Sequence, residues 1–219
     1  GELMRRPPDS LLGFMALIPV MGLLACAGGT GPPKVLPEPV RSPFVKLDRV
    51  GPDPGLDGVM VEAREGDWIL RNEHMAVVVR SLSHRSGFSR SGGNIIDVAP
   101  HGSSDVLREV FTYFDDRFPR QAVYDILGPE AFPDSGTVTL IARGRDSENP
   151  RIGVVTRYLL AMGSRHLELS TTLTNHGDEP VSDFEVGDAI EWGRAEFFAP
   201  GPGHQLVGTR EEVPFLVGH

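Results

Sequence analysis

Apolar and polar residues alternate with period two through much of the second half of the chain. Over residues 166–174, Leu167, Leu169, Thr171 and Leu173 fall on one side, while Glu168, Ser170, Thr172 and Thr174 fall on the other. That alternation predicts a strand with one buried face. Residues 137–143 and 152–162 read the same way. Gly163-Ser164 predicts a two-residue hairpin loop, with the glycine supplying the positive φ of a type II′ turn. A second turn is expected over 175–180, after which Phe184 and Val186 continue as a further strand. Earlier in the chain, Val59, Val61 and Ala63 alternate with Met60, Glu62 and Arg64, and strands are predicted over 67–70 and 75–80 around a turn at 71–74. Val77-Val78-Val79 is apolar on both faces, as a central strand would be. Residues 107–114 fit either one or two helical turns or a strand. No segment after residue 25 sustains a helical period. The expected fold is therefore all-β, an antiparallel β-sandwich over residues 58–219.

The start of the chain obeys a different rule. Met4-Arg5-Arg6 is followed by an uncharged run of 15 residues, 11–25, which ends in Leu23-Leu24-Ala25-Cys26. A spanning helix needs about 20 apolar residues. A charged start, a short apolar run and small residues at its end describe a signal helix that is removed after export. The ending resembles the lipobox of bacterial lipoproteins, a resemblance confined to about the first 26 residues. It implies cleavage before Cys26, lipid on that cysteine, and attachment to a membrane as partner. Ala27 after the cysteine resembles lipoproteins sorted to the outer membrane of Gram-negative bacteria. Residues 26–57, rich in Gly and Pro, read as a disordered tether, with an edge strand inside it over 41–50.

Composition narrows the partners. The chain has 219 residues and a formal net charge of −9, with 21 Lys and Arg against 30 Asp and Glu. An acidic balance argues against nucleic acid, whose phosphates call for a basic face. Hydrophobic residues at 40% suffice for a core. One cysteine allows neither an internal disulfide nor a cysteine-rich zinc site.

Candidate chemistry is sparse. No HxH, HExxH or GxSxG pattern occurs, and no cofactor is expected. Asp97 and His101, with Asp105 and Glu109, gather carboxylates and imidazole at a rim, where they either hold a metal or sit solvated. Asp115-Asp116 reads as a cation site or as an exposed turn. The 89–94 segment (SRSGGN) reads as an anion nest or as a tight bend at Gly92-Gly93, and His166 as structural or exposed. Asp188, Glu191 and Trp192 set two carboxylates three residues apart beside an indole. They form either a carbohydrate-binding or carbohydrate-active rim, with the sugar stacked on Trp192, or an ordinary strand end.

Three longer stretches carry a second resemblance: GDWILRNEHMAVVV, RSGGNIIDVAP, and TTLTN-HGDEPV through FEVGDAIEWG to FFAPGPG. From residue 66 to residue 203 the chain resembles secreted proteobacterial proteins whose N-terminal region is a galactose-mutarotase-like sandwich. In longer members of that family it precedes a metallohydrolase domain of the polymerase-and-histidinol-phosphatase type. The resemblance implies a supersandwich, incomplete here, and a downstream metallohydrolase domain as partner. The histidine clusters of that hydrolase and the His/Glu pair of sugar mutarotases have no match in this chain. Activity therefore does not carry over, and the reading is a lipid-anchored binding or scaffolding module rather than an enzyme.

Overall fold

The computed structural model describes residues 14–19, 42–85, 87–101, 103–105, 107–115, 119–131, 134–192, 197–199 and 203–205. Cys26 and most of the stretch read as signal and tether lie outside them. Among the described residues there is no helix, and the chain forms two antiparallel sheets and a small hairpin. The strands are β1 (Phe14–Pro19), β2 (Val45–Arg49), β3 (Trp68–Asn72), β4 (Met75–Val79), β5 (Ile95–Pro100), β6 (Leu107–Phe114), β7 (Ala122–Pro129), β8 (Thr137–Asp146), β9 (Ile152–Ala161), β10 (His166–Asn175), β11 (Val186–Trp192), β12 (Phe197–Ala199) and β13 (Gly203–Gln205). One sheet runs β1-β10-β9-β8-β7, the other β11-β6-β5-β4-β3-β2, and β12 pairs with β13.

The three long period-two strands in the second half of the chain fold as expected. β8, β9 and β10 are 10 residues each and pair as a meander. Leu140, Ala142, Ile152, Val154, Tyr158, Leu160, Leu167, Leu169 and Leu173 send their side chains into one core against Leu70, Val77, Val79, Ile95, Val110 and Phe114 of the other sheet. Burying a large aliphatic side chain of this kind stabilises by about 1.5–3 kcal/mol. Leu107–Phe114 resolves as a strand, consistent with its β-branched and aromatic content.

Four expectations need correction. Phe14–Pro19, inside the run read as a signal helix, is extended and pairs antiparallel with β10, Phe14 opposite Thr171 and Pro19 opposite His166. An extended apolar segment satisfies its backbone on a sheet edge whose donors and acceptors would otherwise be unpaired. The edge strand expected over 41–50 is present as Val45–Arg49 beside β3, so the sandwich begins inside the stretch read as tether rather than at residue 58. Residues 59–64 alternate but form no strand, and Val59 is 93% exposed. This segment lies over the outer face of the six-stranded sheet, where Leu56 and Ala63 pack on Val50, Ile69, Ala76, Val78 and Ile96. Finally, β9 ends at Ala161 and β10 starts at His166, so their loop is longer than two residues. Ser164 N–H donates to the Ala161 carbonyl at 3.2 Å and Gly163, third in that turn, has φ of 78°. A positive φ there makes it type II rather than II′.

Candidate functional site

Polar groups concentrate in two places: the outer face of the six-stranded sheet, and a cluster between the sheets.

On the outer face, two irregular segments, 51–66 and 81–94, cover strands β4 to β6, and buried carboxylates hold them down. Asp97 is fully buried on β5 and accepts the Glu62 N–H at 2.8 Å. Asp105 accepts the N–H groups of Val98 at 2.8 Å and Leu107 at 3.3 Å, and its own N–H donates to the Asp57 carbonyl. Glu109, 1% exposed, accepts from Phe88 N–H at 2.9 Å, from Ser89 N–H at 3.2 Å and from the Ser89 hydroxyl. Asp67 accepts from Arg64 N–H and Ser81 N–H and pairs with His84 Nδ1 at 2.7 Å. Because a carboxylate only accepts, His84 carries its proton on Nδ1. Between the two segments lies the Arg80 guanidinium, 2.6 Å from Glu62 and 3.6 Å from Glu109. An uncompensated carboxylate in this setting would be costly, so each one placed here is answered by backbone donors or a guanidinium.

The compensation is incomplete. Asp97 Oδ2 and Glu191 Oε2 are buried and have no hydrogen-bond partner among the described residues. Burial pushes the Asp97 carboxyl up to about 7, helped by the charges of Asp105 and Glu62 and opposed by the N–H groups of Glu62 and Ala63. Burial also raises the Glu191 carboxyl, with the Arg108 guanidinium at 3.1 Å working against the shift.

Between the sheets, Thr112 on β6 donates to Asp188 on β11 at 2.8 Å. The Tyr124 hydroxyl lies 2.6 Å from Thr156 Oγ1, which lies 3.1 Å from Thr171 Oγ1, and the Tyr158 hydroxyl donates to the Gly93 carbonyl at 2.6 Å. Burial pushes Tyr124 up to about 12 and raises Tyr158 and Asp188 as well. Burial favours the uncharged form of each group, and at Asp188 the Thr112 hydroxyl works against the shift.

The candidate residues therefore land as follows. Asp97 and Asp105 are neighbours, whereas His101 turns its Nε2 to the Asn72 carbonyl at 2.8 Å and Glu109 turns to the 88–89 loop. Among the described residues no three His, Cys, Asp or Glu side chains gather as metal ligands. Asp188 and Glu191 stand on opposite faces of β11. Asp188 meets Thr112, flanked by the core residues Val110 and Phe114, while Glu191 meets Arg108, which also reaches toward Glu62. Residues three apart on a regular strand must diverge in this way. The backbone of Trp192 continues β11 opposite Leu107, past a bulge. One pocket does not hold both carboxylates.

Asp115 adopts a positive φ of 55° and pairs with Arg120, and Asp116 lies outside the described residues. Gly92-Gly93 is a tight approach: Gly93 N–H donates to the Arg80 carbonyl at 2.8 Å, and a side chain at Gly92 would run into the Ser81 carbonyl. His166 is exposed at the start of β10. The sequence reading missed Asp67, His84, Glu62 and Arg80. Their only signal was a charged residue at the end of an otherwise apolar strand, as at Arg80 after Val77-Val78-Val79.

No protein-family model, curated protein or solved structure matches this chain. A groove of about 320 Å³ between β2 and β8, lined by Leu47, Trp68, Pro129 and Val138, is open and shallow. No described helix is long and apolar enough to cross a membrane.

Proposed function

We propose that this chain is a lipid-anchored, extracytoplasmic β-sandwich that acts as a binding or scaffolding module, the N-terminal accessory part of a larger surface protein. The observation that carries this reading is Leu23-Leu24-Ala25-Cys26, the chain's one cysteine at the end of a 15-residue uncharged run. Two or more acyl chains at that point hold a protein on a membrane far more firmly than one. The Gly/Pro-rich residues that follow act as a spacer between the bilayer and the sandwich. The uses found for the acidic side chains fit a module rather than an enzyme. Asp67, Asp97, Asp105 and Glu109 each bind backbone N–H groups of covering loops. The resemblance to sandwiches that precede metallohydrolase domains supplies the role of presenting a neighbouring domain at the cell surface, and the outer membrane of a Gram-negative bacterium is the proposed location.

The test is fractionation of cells expressing the chain. The wild type is expected in the membrane fraction, released by detergent, while Cys26→Ser is expected to lose acylation and membrane retention. A Ser variant that stays equally membrane-bound after a high-salt wash overturns the reading.

A further inference from the structure

We infer that β10 is a strand-addition edge, and that its occupant in the processed protein is β10 of a second copy of this chain. With β1 removed, the four edges of the two large sheets are defended unequally. An exposed edge strand templates the pairing of another chain unless it is short, bulged, charged or interrupted by proline. β2 is 5 residues long and carries Lys46, Asp48 and Arg49. β7 has a bulge between Tyr124 and Ile126 and ends on Pro129. β11 has a bulge between Glu191 and Trp192. β10 carries a single charged device, Glu168, and is neither short, bulged nor broken by proline. It is 10 residues long (HLELSTTLTN), contains no Lys, Arg, Pro or Gly, and pairs with β9 from Glu168 to Asn175 without a register shift. Such an edge is built to be paired.

The partner it has in this chain is β1, which covers His166 to Thr171 in antiparallel register. β1 lies within the leader that the lipoprotein reading removes before Cys26, and the inference rests on that reading. Once the leader is gone, the edge is bare along its whole length. A second β10 fits it. In an antiparallel pair with its two-fold axis on Thr171, Leu169 faces Leu173, Ser170 faces Thr172 and Glu168 faces Thr174. A two-fold on Ser170 instead sets Leu167 against Leu173 and Glu168 against Thr172. Both registers keep core-facing side chains on the core side, as the period of two demands. In neither does Glu168, the one acidic group of the strand, meet a like charge. The result is one continuous sheet across a two-fold dimer, tethered to the membrane by two lipid anchors.

The experiment uses the protein processed by its own export route and purified from membranes in detergent, with its mass measured first. A mass showing the leader still attached sinks the lipoprotein reading and leaves β10 covered, so the dimer falls with it. A processed mass with a monomer by light scattering overturns the dimer alone. The expected result is a processed chain at twice the monomer mass. Ser170→Cys should then give a covalent dimer with a short bis-maleimide, since Cys26 is blocked by lipid. Arg143→Cys, on the outer face of β8, should not. Ser170→Lys combined with Thr172→Lys should return a folded monomer, with the β-sheet circular dichroism of the wild type and a melting temperature that no longer rises with protein concentration. A dimer that persists in this double variant, or the absence of a cross-link in Ser170→Cys, counts against the inference.

Discussion

The two faces of the six-stranded sheet solve the same burial problem by different means. On strand β4, Val77 and Val79 point into the apolar space between the sheets, while Ala76 and Val78 point outward into a thinner layer. The inner layer is closed by a second sheet, whose ladder satisfies its own backbone. The outer layer is closed by irregular segments, whose N–H groups have no ladder to join. Buried acceptors must replace it, and Asp67, Asp97 and Glu109 are those acceptors. On this outer face, a buried acidic residue is thus the equivalent of a neighbouring strand. Asp97, Asp105 and Glu109, read in the sequence as a metal rim or solvated loop residues, each accept a backbone N–H here.

The comparison is sharpest where both faces are cut. Leu160→Ala, in the inner layer at 0% exposed, should cost about 2–5 kcal/mol. Glu109→Ala, which strips three donors and leaves Arg80 short of a partner, should cost about 3–5 kcal/mol. Urea unfolding of the two variants measures both, and an outer-face cost near zero breaks the equivalence.

Next in size is a pH effect on the outer face. The Asp97 carboxyl is held at about 7 in the folded chain against an ordinary 3.8. Between those values the folded state keeps a proton that the unfolded state gives up. Stability should therefore fall as pH rises from about 4 to about 7, by on the order of a few kcal/mol. Asp97→Asn keeps an acceptor for the Glu62 N–H and cannot ionise, so it should flatten this slope and exceed the wild type in stability at pH 8. A wild-type curve already flat across that window contradicts the assignment. The upward shifts of Asp188 and Glu191 act in the same direction and leave a residual slope in the variant.

Smaller effects separate dry from wet contacts. Tyr124→Phe removes a buried hydroxyl contact 2.6 Å long and should cost about 1 kcal/mol. Arg108→Ala removes an ion pair whose guanidinium side chain is 45% exposed, and should cost less than about 1 kcal/mol. Equal costs for the two would mean that the interior cluster is wetter than its burial indicates.

Legibility in the sequence followed the same division. β8, β9 and β10 show in the alternation because one face packs on apolar groups and the other meets water. The two-sided burial of β4 shows as Val77-Val78-Val79. The outer layer was illegible, because its alternation at 59–63 mimics a strand while its backbone bonds run to Asp97, 35 positions away. β7 escaped notice because its bulge, between Tyr124 and Ile126, interrupts the period. The rim residues Asp188 and Glu191 stand close in sequence, but their spacing sends them to opposite faces.

Hydrogen exchange, read peptide by peptide on Glu109→Gln, tests most directly whether the outer carboxylates are structural ties. The amide weakens the acceptor for Phe88 and Ser89 and loses the charge facing Arg80, with little change in volume. The predicted result is faster exchange over residues 87–92 with β8, β9 and β10 as protected as in the wild type. Unchanged protection over that loop would contradict the account.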